Sequence, residues 1–206
     1  MLTEREERVI RLANELVRRH ALTLPVDVAA ICPLYGARLI PLSELEAKGL
    51  EPEAVFAVWG NRDGVAMASR RCRTIGYNDR AAEKRVRFTL AEELMHLLLG
   101  HTEDGRFRLG EQSYDADTYA LYEAEAKRGA CMLLIPPTVY YRYRELYGLG
   151  GIARLCRVSR ACAWTAAQYY EQNERELRAL FTARPLRCDT RGLPRRRPSR
   201  PRQVSF

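Results

Sequence analysis

Three side chains with acid–base and metal-binding chemistry, Glu92, Glu93 and His96, lie within one apolar run, Phe88-Thr89-Leu90-Ala91-Glu92-Glu93-Leu94-Met95-His96-Leu97-Leu98-Leu99. On a helix of 3.6 residues per turn, Thr89, Glu92, Glu93 and His96 share a wedge of about 100°, and leucines cover the opposite side. Ionisable groups on such a helix are costly to bury unless they are paired or bind a cation. A carboxylate and an imidazole at i and i+4 can grip one metal ion, with the intervening Glu93 placed to carry a proton. A polar face on an ordinary amphipathic helix accounts for the same pattern, so the segment alone leaves both open.

The zincin motif H-E-x-x-H puts two histidine ligands and a glutamate base on one helical face. Here Glu92 takes the place of the first histidine. The stretch Arg87 to His101 closely resembles the motif helix of the ImmA/IrrE family of metallo-endopeptidases, R-F-T-L-A-H-E-L-G-H-L-L-L-G-H. Glu123-Ala124-Glu125-Ala126-Lys127-Arg128-Gly129-Ala130-Cys131-Met132-Leu133-Leu134-Ile135-Pro136 resembles that family's E-x-x-A-N-x-F-A-x-x-L-L-M-P segment. Leu24-Pro25-Val26-Asp27 upstream, and Ile152-Ala153 and Val158-Ser159 downstream, extend the likeness over roughly residues 1–175. The resemblance implies a minimal zincin-like metallopeptidase domain with zinc held by Glu92, His96 and Glu123, and Glu93 as the catalytic base. Glu125 is a nearby competitor for the third ligand. It also implies a helix-turn-helix repressor of phage, other mobile elements or stress genes as substrate or partner.

Three departures from the family pattern bear on activity: Glu92 for His, Met95 for Gly and Gly129 for Phe. A Glu/His/Glu set leaves a zinc ion neutral where His/His/Glu leaves it cationic, so bound water is less acidic. The oxygen-rich set also shifts preference toward Mn²⁺ or Fe²⁺. Weakened or lost hydrolysis is therefore expected. Met95, beside the polar wedge, is expected to narrow access to the site. His101, beyond Gly100, is expected outside the site, and His20 at a helix end or in the core. A substrate peptide would lie along a sheet edge, with residues 65–69 and 73–77 both eligible.

The elements that must position these groups read as an α+β fold, helices on a small, mostly antiparallel sheet. Thr3 and Glu6 form a capping box that opens a helix to about His20. A short helix over 26–32, a strand over 37–40 and a capped helix from Ser43 follow. Residues 54–59 and 65–68, around Asn61-Arg62-Asp63-Gly64, predict a hairpin, and 73–77 a third strand. Helices are predicted over 85–99, 116–134, 152–159 and from Ser159 towards Phe181. The organisation expected is a metallopeptidase domain over 1–147, a helix-turn-helix-like segment over 148–182 and a disordered Arg/Pro-rich tail over 183–206.

The 206 residues carry a net charge of +8, but residues 183–206 hold eight Arg and one Asp, so seven of those charges lie in the tail. The body is nearly neutral, which leaves at most weak, salt-sensitive nucleic-acid contact through the tail. The second helix of the helix-turn-helix-like segment is apolar and reads as a packing or docking face. No apolar run approaches the ~18 residues of a membrane span, and the charged N-terminus lacks a secretory signal, so a cytoplasmic protein is expected. The six cysteines form no C-x-x-C pair and read as free thiols. Three functions follow: a metal-dependent endopeptidase, a pseudo-peptidase that binds the same kind of regulator, and a nucleic-acid-binding accessory protein.

Overall fold

The computed structural model describes residues 2–20, 23–69, 72–102, 116–184 and 186–193. Helix α1 (Glu4–His20) starts at the expected reciprocal cap: the Glu6 backbone N–H donates to the Thr3 hydroxyl at 3.2 Å, and the Thr3 N–H to the Glu6 carboxylate at 2.9 Å. Acidic residues in its first turn and basic ones in its last suit the helix dipole. Val9, Ile10, Ala13, Leu16 and Val17 form its buried stripe. A short helix α2 (Val28–Ile31), capped by Asp27, leads through a 3₁₀ turn to strand β1 (Ala37–Pro41).

Helices α3 (Leu42–Ala47) and α4 (Pro52–Trp59) then precede β2 (Gly64–Ala68) and β3 (Arg73–Tyr77). Residues 54–59 are thus helical, against the expectation of a strand. Pro52 opens the first turn and Gly60, left-handed at φ 74°, closes the last. Helical spacing lets Val55 and Trp59 bury together against Leu42 and Val65, a small second core that overrides strand propensity. The hairpin is formed by β2 and β3 instead. Ser43 does not cap α3 either; its hydroxyl and N–H donate to Asp79 at 2.6 and 3.1 Å.

The sheet order is β1–β3–β2, with β1 parallel and β2 antiparallel to β3. One of the two pairings is therefore parallel, where a mostly antiparallel sheet was expected; α3 and α4 fill the long crossover that a parallel neighbour requires. Gly76 in β3 admits Trp59 onto the sheet, since a Cβ there would stand 2.8 Å from the Trp59 ring.

Helix α5 (Glu83–Leu99) packs on β2 and β3, and α6 (Ala116–Leu134) packs on α5 with α1 beyond it. Helix α7 (Pro137–Leu155) bends at Gly148, and α8 (Arg160–Gln172) and α9 (Glu174–Leu180) follow, separated at Asn173 where one continuous helix was expected. The Ser159 hydroxyl caps α8 by accepting from the Cys162 N–H at 3.0 Å. Ala163, Ala166, Ala167 and Tyr170 of α8 are buried, and the Tyr170 hydroxyl donates to the Ile135 carbonyl at 2.7 Å. One core runs from Val9 on α1 to Leu186.

Part of the Arg/Pro-rich stretch lies on this body. The Ala183 N–H donates to Asn14 at 2.7 Å, the Leu24 N–H donates to the Arg187 carbonyl at 2.8 Å, and Leu186 is buried. Composition gives no sign of that docking. The expected nucleic-acid contact rests on the eight arginines of the tail over 183–206, of which those at 195–197, 200 and 202 are outside the described residues. Among the described residues no helix is long and apolar enough to cross a membrane. All six cysteines are free thiols, and Cys131 and Cys162 approach to 3.9 Å between α6 and α8.

Candidate active site between α5 and α6

Helix α5 buries Glu92 and His96 and leaves Glu93 half-buried towards β2. The α5 helix ends at Gly100, whose left-handed backbone (φ 79°) turns the chain back on itself. That turn brings His101 inward, contrary to expectation, with its Nδ1 3.1 Å from His96 Nδ1. On its other side His101 Nε2 lies 2.9 Å from Glu125 Oε2, and Glu125 accepts from Arg5 of α1 at 2.6 and 3.1 Å. The Tyr122 ring stacks on His101 at 4.2 Å.

These contacts fix the imidazole protons. Burial alone would raise the Glu125 carboxyl, but Arg5 and His101 outweigh it and hold the group below its ordinary value. Ionised Glu125 can only accept, so His101 carries its proton on Nε2 and its Nδ1 accepts from His96 Nδ1–H. Burial, together with the neighbouring His96, pushes His101 down to about 4 and keeps it neutral. His96 is thereby oriented with Nε2 towards the centre, the kind of outer support that metal-binding imidazoles have. His20, at the far end of α1, lies away from this group with its Nε2 3.0 Å from the Tyr35 hydroxyl.

From α6, Glu123 Oε1 faces His96 Nε2 at 3.4 Å. Glu125, the competitor for this place, points instead to His101 and Arg5. The His96 contact, with Lys127 assisting and burial opposing, holds the Glu123 carboxyl at about 2. Burial works against a charged His96, yet Glu123, Glu93 and Glu92 outweigh it and raise its value. Glu92 is raised by burial and by Glu123. Burial pushes Glu93 up to about 7, although the neighbouring His96 and, more weakly, the Ala66 backbone of β2 favour its charged form.

A residue missed in the sequence stands at the middle of this group. Lys127 Nζ is 2.6 Å from Glu123 Oε2 and 3.8 Å from Glu92 Oε1. It occupies the position of Asn in the family's E-x-x-A-N segment, and its i, i+4 spacing from Glu123 was the available signal. Met95, expected to narrow the site, is fully buried against Gly129 on α6, where a Cβ would stand 2.2 Å from Met95 Cε. Two of the three departures thus compensate each other in volume. A cleft of about 680 Å³ opens beside Lys127 and Arg85, floored by Phe88, Cys131 and Tyr169.

The donor set tests whether zinc suits this centre. A zinc site needs three protein donors converging on one point, with a fourth direction open. His96 and Glu123 converge. Among the described residues Glu92 Oε1 is buried without a hydrogen-bond partner, but the charge it faces is the Lys127 ammonium. Among the described residues no three His, Cys, Asp or Glu side chains come together as a metal cage. With an ammonium against two of the three expected ligands, the residues as arranged do not fit a zinc ion.

A motif helix on a small mixed sheet, faced by a glutamate from the following helix, defines a scaffold of the zincin-like peptidase class. Residues 59–163, just over half of the chain, match the family model of peptidase M78, the IrrE N-terminal-like domain, and the protein belongs to that family. No curated protein matches the chain.

Proposed function

We propose that this protein holds an extended segment of a regulatory protein along β2 and does not cut it. The observation that carries this reading is the position of β2. Strand β3 lies in the middle of the sheet, whereas β2 is paired on one side only among the described residues and runs beside α5 at Glu93. Of the two strands eligible from the sequence, β2 is therefore the one able to accept a guest strand through main-chain hydrogen bonds. The loss of cutting follows from the centre's poor fit to a metal ion. A helix-turn-helix repressor of a mobile element is the partner that family resemblance suggests.

A second reading, metal-dependent hydrolysis by Glu92, His96 and Glu123 with Glu93 as base, is favoured by the buried Glu92 oxygen that lacks a hydrogen bond among the described residues. Mixing the protein with a repressor encoded beside its gene separates the two. Size-exclusion chromatography should give a stable complex, and mass spectrometry an intact repressor. Cleavage that stops in Glu93→Gln would establish the second reading, and absence of any complex would sink the first.

A further inference from the structure

A cation already stands at the centre, and it is part of the chain. Lys127 follows Glu123 by one turn of α6, the order in which a Glu–Lys pair best suits a helix. Its ammonium touches Glu123 Oε2 at 2.6 Å and lies 3.8 Å from Glu92 Oε1, while Glu123 Oε1 faces His96. We propose that Lys127 takes the place of the metal ion: its ammonium is the counter-charge that lets Glu92 and Glu123 lie together beside His96, and it keeps zinc out. This rests on the peptide-holding reading and supplies the cause of the missing chemistry.

Two observations converge on it. The family pattern has uncharged residues, His and Asn, at both positions, and this chain has opposite charges at both, facing each other across the α5–α6 seam. The space is also contested. A zinc ion bonded to Glu92 and Glu123 would lie about 2 Å from each carboxylate, within the volume that the ammonium serves. The ion would have to expel Lys127 against like-charge repulsion. Lys127 itself is half-exposed, so it has a route outward, and removing it is a direct way to open the centre.

The test uses the full chain and zinc alone, comparing the natural protein with Lys127→Asn, Glu92→His and the double variant. Elemental analysis gives the zinc retained after dialysis, chelator competition gives affinity, and thermal unfolding is followed with and without chelator. The natural chain should retain no stoichiometric zinc and unfold at the same temperature in chelator. Lys127→Asn should unfold at a lower temperature in chelator and recover on adding zinc. The double variant should hold one zinc per chain, about 100-fold more tightly than the natural chain.

One-to-one zinc on the natural chain overturns the proposal, as does a Lys127→Asn variant with unchanged zinc affinity and unfolding temperature. If Lys127→Asn does not fold, two others decide. Lys127→Arg keeps a cation and must remain zinc-free. Glu92→Gln with Lys127→Asn removes both charges and must fold better than Lys127→Asn alone; no improvement overturns the proposal. These readouts are independent of the repressor experiment: cleavage by the natural chain would sink the peptide-holding reading, whereas unchanged zinc affinity in Lys127→Asn would sink only the role of Lys127.

Discussion

The α5–α6 seam departs from the family pattern at two neighbouring places, and the two behave differently. At the first, Met95 stands for Gly and Gly129 for Phe, and the larger side chain on α5 fills the room left by the absent one on α6. The contact is apolar and buried. At the second, Glu92 stands for His and Lys127 for Asn. Their charges cancel, yet among the described residues Glu92 Oε1 is left buried without a hydrogen bond. Apolar volume is non-directional, so one large residue can be moved across an interface at little cost. Hydrogen bonds and ligand geometry are directional, so an added pair of opposite charges balances the sum without supplying the hydrogen bond that Glu92 Oε1 lacks.

The largest expected effect comes from breaking the apolar contact. Gly129→Phe alone puts a ring where Met95 lies and should destabilise the protein by about 3 kcal/mol in urea unfolding, the upper range for overpacking. Met95→Gly combined with Gly129→Phe should recover most of that loss, and failure to recover would mean the two sites do not compensate. A smaller effect is expected behind the polar contact. His101→Ala removes the acceptor of His96 and one partner of buried Glu125, which should cost about 2 kcal/mol, measured the same way. A cost near zero would show that the His96–His101–Glu125–Arg5 chain does not support the centre.

The smallest effect is expected at an exposed pair at the start of α5, which sharpens the contrast by showing what a charge contact contributes outside the seam. Arg85 binds Asp63 through both of its oxygens, and chiefly for that reason the Asp63 carboxyl is held below its ordinary value. Arg85→Ala should cost about 0.5 kcal/mol at neutral pH. A depressed carboxyl stabilises the fold above the unfolded-state value of ~3.9, and the benefit fades as pH falls through the folded-state value. The difference between natural chain and variant should therefore shrink on acidification below about pH 4. A difference that grew instead would assign the effect to another group.

Much of the scaffold is legible in the sequence because its signals are local. The cap at Thr3, the periodicity of α5 and α6, and the facing of Glu92 and His96 all depend on residues within a turn or two of each other. The misses share a cause. His101 lies past Gly100, where a helical wheel no longer applies and a left-handed turn reverses the chain. Met95 is correctly placed beside the polar wedge, but its surroundings depend on Gly129, across the interface. Residues 54–59 have strand-like composition, and only the Pro52–Gly60 frame and the burial of Val55 with Trp59 make them helical. Lys127 was visible in the α6 segment; what the sequence does not display is that its ammonium reaches Glu92 as well as Glu123.

The continuous core has a consequence for how the matched segment is understood. Residues 59–163 include β2, β3, α5, α6, α7 and only the beginning of α8, so a fragment cut at those limits would lack β1, the parallel neighbour of the middle strand. It would also lack α1, with its five buried apolar side chains and the guanidinium that anchors Glu125. Excised in this way, the segment would expose the inner surfaces of the molecule to water and forfeit the brace behind His96. The family match therefore delimits a shared stretch of sequence, while the buried core of the described residues extends beyond it on both sides, from Val9 to Leu186.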